Sequence, residues 1–93
     1  STSYLDRVRT DFRKAGNALL DECLKQLEDK AACVDRLLEE GEPGPVIVET
    51  AKAQGCELIV VGKRGRGKLA ELLLGSTSQH VLHEAALPVL VVP

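Results

Sequence analysis

Aromatic residues are nearly absent from this chain: Tyr4 and Phe12 are the two present, and neither Trp nor Met occurs. Any core must therefore be built from aliphatic side chains. Cysteine is sparse and odd in number, with Cys23, Cys33 and Cys56 and no C-x-x-C pair. That argues against a disulfide framework or a zinc site and favours a reducing, cytoplasmic setting. No apolar run approaches the ~18 residues of a membrane span, and no segment has the layout of a signal peptide. An excess of one charge is lacking too. Twelve Lys and Arg against fourteen Asp and Glu leave a net charge of -2, which gives no general attraction to nucleic acid or an anionic membrane. An anion site must then be local, and the local basic cluster is Lys63, Arg64, Arg66 and Lys68.

What is present suits one small domain over residues 1–93, a length that buries about two-thirds of the unfolded surface. Leu5, Val8, Phe12, Ala15, Leu19, Cys23 and Leu27 recur at steps of three and four, predicting an amphipathic helix over 3–29 with a core stripe. Ser3, with Asp6 following, is a candidate cap, and Gly16 allows close packing at some cost in helix stability. Residues 31–38, AACVDRLL, alternate in part (Ala32, Val34, Arg36) and predict an edge strand. Pro43 and Pro45 bracket a helix start, since the first turn does not need the N–H that proline lacks. Glu42 is a poorer cap than Asp there. The helix stops at Gly55, a good left-handed terminator. Cys56, next to it, reads as buried packing. ELIVV at 57–61 lacks alternation, as in a strand buried on both faces of a parallel sheet. A helical region over 68–86, interrupted at Gly75, ends before Pro88, and VLVV at 89–92 is a last strand. The order of elements predicts an α/β fold with an open parallel sheet.

The stretch LIVVGKRGRGKL carries the first candidate chemistry. Gly62 to Lys68 fits G-x-x-x-x-G-K, a phosphate loop of nucleotide hydrolases, but Leu69 stands where Ser or Thr should hold magnesium. Glycines after a strand also let backbone N–H groups converge on an anion, and the carboxyl edge of an open sheet is where ligands bind. Gly75-Ser76-Thr77-Ser78 opens the last helix, whose free N–H groups and partial positive charge favour phosphate. Ser76 and Gln79 have capping-box spacing. The plain alternative is a turn followed by a capped helix with a solvated basic patch.

Gly62-Lys63-Arg64-Gly65, nine residues, then Gly75-Ser76 resembles the G-x2-G-x9-G-[S/T] signature of the ATP-binding universal stress proteins. The Gly-Glu-Pro helix start, the apolar strand before Gly62, LLLGS and the terminal PVLVV agree, so the resemblance runs over roughly residues 4–93. It implies a Rossmann-like, adenine nucleotide alpha hydrolase-like sheet, with ATP, ADP or AMP, with or without Mg2+, over its carboxyl edge. Under it Val61, Gly62, Arg64, Gly65, Gly75, Ser76, Thr77 and Ser78 bind the nucleotide. It also implies a homodimer through the last strand, Val89, Leu90, Val91 and Val92, consistent with an unpaired apolar edge.

The family's first two strands have no counterpart here, nor does the aspartate that ends the first of them and contacts adenine. The chain is thus expected to be part of a longer domain of about 140 residues, an ordinary domain size. Direct pairing of 31–38 with 57–61, or strands borrowed from a partner, are the alternatives. No group is placed as a general base, so binding rather than catalysis is expected. A non-nucleotide interaction or regulatory module of the same fold is the competing reading. His80 and His83, without Cys or carboxylate partners, give no metal site.

Overall fold

The computed structural model describes residues 2–63 and 74–93. The chain divides into two compact units, Ser1–Glu39 and Glu40–Pro93.

The first unit is dominated by α1, Thr2–Leu27, followed by a short 3-10 helix, Glu28–Cys33. The expected helix is present, but of its expected stripe only Val8 is partly covered. Leu5, Phe12 and Leu19 are exposed, whereas Gly16, Leu20 and Leu24 are partly covered. These three stand one position further along the chain, about 100° round the helix. Gly16 has the role foreseen for it: a Cβ there would lie 2.7 Å from Leu38 Cδ1, so glycine permits the Leu38 side chain to approach the helix.

The strand expected at 31–38 does not form. Glu28 adopts φ 52°, which ends the α-helix, and the tighter turns continue through Cys33. Residues 34–40 have no regular structure. Partial alternation is not sufficient for a strand, whose N–H and C=O groups need a ladder partner. Here side chains hold the segment instead, through the Arg36–Asp21 ion pair and Leu38 against Gly16.

The second unit holds the core. Helix α2, Pro43–Ala53, begins with Pro43 and Pro45 in its first turn, after Glu42, which makes no side-chain capping bond. It ends as foreseen at Gly55, φ 65°, with the Gly55 N–H on the Lys52 carbonyl. Cys56 is exposed, a correction to its expected burial, because it lies in the turn beyond the helix.

Strands β1, Ile59–Gly62, and β2, Val89–Val92, pair in parallel, with Val60 opposite Leu90 and Val61 opposite Val91. Helix α3, Ser76–Glu84, lies between them in sequence; the expected helical stretch before it lies outside the described residues.

β1 starts two residues later than expected and is covered on one face rather than two. Ile59 and Val61 are buried, while Leu58, Val60, Leu90 and Val92 are exposed. Continuous hydrophobicity suited a doubly covered strand, but among the described residues helices pack on one side of this sheet. The core joins Ala51, Ile59, Val61 and Val81, with Ile47, Val48, Ala85, Leu87, Val89 and Val91 packed against it.

Candidate functional site

The carboxyl end of β1 is tied by one hydrogen bond to β2 and by two to the start of α3. The Lys63 N–H donates to the Val92 carbonyl at 2.6 Å, extending the ladder past the end of β1. The Lys63 carbonyl accepts from the Gly75 N–H at 2.9 Å. The chain therefore leaves the sheet at Lys63 and returns to the same point at Gly75. The third bond runs from the Ser78 hydroxyl to the Gly62 carbonyl. Ser78 is 3% exposed, the one buried polar residue among those described.

Gly75 is the N-cap of α3, with φ −62° and ψ 155°, and no side chain caps this end. The capping box expected from Ser76 and Gln79 does not form. Ser76 is already the first helical residue, and the Gln79 amide donates instead to the Leu74 carbonyl at 2.8 Å. The first helical bond runs from the Gln79 N–H to the Gly75 carbonyl at 3.0 Å. Helix geometry thus gives the N–H groups of Ser76, Thr77 and Ser78 no acceptor within α3, and the helix dipole adds partial positive charge there.

These groups open on a cavity of about 400 Å³, lined by Ile47, Val60, Val61, Gly62 and Gly75 to Ser78. Its volume falls in the ~300–1,000 Å³ range of small-molecule sites. One wall is aliphatic, from Ile47, Val60 and Val61, and the other is a helix terminus with the Ser76 and Thr77 hydroxyls. Such a surface suits a ligand with an apolar part and an anionic part. A second cavity of about 220 Å³ adjoins it across Ser76 and Thr77, lined by Glu42, Pro43, Gly44, Pro45 and His80.

Of the residues selected from sequence, Val61, Gly62, Gly75, Ser76, Thr77 and Ser78 come together around the larger cavity. Arg64 and Gly65 lie outside the described residues, as do Arg66 and Lys68. Two groups already have partners: the Gly75 N–H is on the Lys63 carbonyl, and the Ser78 hydroxyl is on that of Gly62. Among the described residues positive φ occurs at Gly41, Gly55 and Glu28, not at Gly62 or Gly75.

Ile47 was not singled out from sequence. The available signal was its spacing of four from Ala51, which sets both on one side of α2. His80 packs at the α2 start, where a Cβ on Gly44 would lie 2.7 Å from its Cγ. Among the described residues no His, Cys, Asp and Glu group could hold a metal ion, and no helix is long and apolar enough to cross a membrane.

The sequence profile of the universal stress protein family matches residues 2–93. Universal stress protein YxiE of Bacillus subtilis is 35% identical over 89 residues, covering 96% of this chain and 60% of that protein. Universal stress protein MJ0577 of Methanocaldococcus jannaschii is 36% identical over 89 residues, covering 96% of this chain and 55% of its own length. Universal stress protein Slr1101 of Synechocystis is 49% identical over 53 residues, covering 57% of this chain and 49% of its own length. The chain thus spans 60% or less of the length of these relatives. No solved structure matches it. With its α/β elements and two-strand parallel sheet, the chain belongs to the universal stress protein family, whose members are mostly non-catalytic stress proteins.

Proposed function

We propose that the protein is a nucleotide-binding stress-response or regulatory domain that takes ATP, ADP or AMP, with Mg2+ accompanying the longer phosphates, at the cavity between β1 and α3. The observation that carries this reading is the convergence of Gly62 with Gly75, Ser76, Thr77 and Ser78 on one cavity, although they lie far apart in sequence. Phosphate oxygens are the acceptors that fit the N–H groups of Ser76, Thr77 and Ser78 and the Ser76 and Thr77 hydroxyls. The aliphatic wall of Ile47, Val60 and Val61 suits the uncharged part of the ligand. Arg64 and Gly65 complete the motif in sequence, Arg64 as a phosphate contact. No residue is assigned a catalytic step.

Titration of the full-length protein with ATP by calorimetry tests this. Gly75→Val places a branched side chain at the mouth of the cavity in a backbone conformation open to any residue, so the fold should survive. Saturable binding by the parent and its loss in the variant are expected. Equal heats from both proteins refute the site.

A homodimer through Val89, Leu90, Val91 and Val92 belongs to the same reading, as does a cytoplasmic location. β2 is the end strand of the two-strand sheet, and an apolar strand edge is a template for a second copy. An interaction module that binds no nucleotide is the second reading. It is favoured by the exposed apolar side chains of Leu58, Val60, Leu90 and Val92.

A further inference from the structure

The sequence motif treats Ser76, Thr77 and Ser78 alike, as hydroxyls following a glycine. Their surroundings separate them. Ser76 is exposed and Thr77 partly covered, whereas Ser78 is 3% exposed, and its hydroxyl donates to the Gly62 carbonyl. A buried hydroxyl committed in this way has no remaining proton to give a phosphate. Gly62 is the last residue of β1, and Ser78 is in the first turn of α3. The bond therefore ties the two halves of the cavity across residues that are distant in sequence. The Gly75 N–H on the Lys63 carbonyl is the second tie at this junction.

We propose that the Ser78 side chain is a positioning group rather than a phosphate ligand: its hydroxyl locks the start of α3 to the end of β1 and sets where the Ser76, Thr77 and Ser78 N–H groups point. The ligand half of this inference rests on the nucleotide reading above. Hydrogen bonds to phosphate depend steeply on distance and angle, so a loosened helix start loses phosphate affinity. The aliphatic wall does not depend on that bond, so contacts to the uncharged part of a nucleotide should persist.

The test compares Ser78→Ala and Ser78→Thr with the parent in the full-length protein. ATP and adenosine are titrated separately, and amide hydrogen exchange is followed at Gly75 and at Ala85, whose N–H is held by the Val81 carbonyl. Ser78→Ala should lose about 5- to 10-fold in ATP affinity, the effect of one hydrogen bond, with adenosine affinity unchanged. Gly75 exchange should accelerate while Ala85 exchange stays at the parental rate. Ser78→Thr keeps the donor and should behave as the parent.

Unchanged ATP affinity and unchanged Gly75 exchange in Ser78→Ala overturn the proposal. So does equal acceleration at Gly75 and Ala85, which makes Ser78 a general packing residue. A parent that binds neither ATP nor adenosine removes the nucleotide reading and the ligand half with it. Gly75 exchange then still decides whether the hydroxyl locks the junction.

Discussion

Single residues decide how closely the parts of this site approach. Gly44, at the start of α2, is buried, and a Cβ there would meet His80 Cγ at 2.7 Å, Cβ at 2.8 Å and Cδ2 at 2.9 Å. The approach of α2 to α3 is thus set by one hydrogen atom facing one ring. Gly44→Ala is expected to cost about 1–3 kcal/mol, the range for overpacking, as read by urea denaturation. His80→Ala in the same chain removes the ring but leaves its Cβ in place, so it should restore part of that loss. A free energy of unfolding for Gly44→Ala equal to the parent's would show that the helices separate without cost. Gly55 is a different case, since its φ of 65° is the constraint and open space surrounds it.

At the level of elements, the sheet has a direction that side chains alone do not reveal. The Ile59 N–H donates to the Pro88 carbonyl and the Lys63 N–H to that of Val92. Parallel ladders alternate evenly, so Pro88, Leu90 and Val92 turn their backbone groups to β1, and Val89 and Val91 turn theirs to the outer edge. The proposed dimer would draw on that outer row. Val91→Pro deletes an outward donor while sparing the bonds to β1, and should convert a dimer to monomer in light scattering. Val91→Ala trims the same side chain, keeps the N–H and should remain dimeric. A dimer that survives Val91→Pro places the interface elsewhere.

On the scale of the whole chain, cohesion is uneven. The unit Glu40–Pro93 encloses Val81 completely and surrounds it with Ala51, Ile59 and Val61. In the unit Ser1–Glu39, Leu5, Phe12 and Leu19 of α1 are exposed. A helix gains most of its stability from packing an apolar face rather than from propensity. Native-state hydrogen exchange should therefore find the amides of β1 and α3 protected for longer than those in the middle of α1. Equal protection in both units would mean that α1 is held as firmly as the core.

Much of this architecture was readable in the residues because its causes are local. Periodicity gave α1, the paired prolines and Gly55 bounded α2, and VLVV before the terminal proline gave β2. Gly62, Gly75, Ser76 and Ser78 could be grouped from sequence because their spacing fits a known family pattern, and they line one cavity. What failed was non-local. AACVDRLL resembles a strand in isolation, but a strand exists through its partner, and this segment finds none among the described residues. The covering of one sheet face, the turn of α1 toward Leu38, and the exposure of Cys56 depended likewise on what lies opposite. Ser76 and Ser78 are the same residue type two positions apart. The chain order made both hydroxyls candidates for a ligand, and folding left one open and bound the other to Gly62, because the helix start directs successive side chains to different sides.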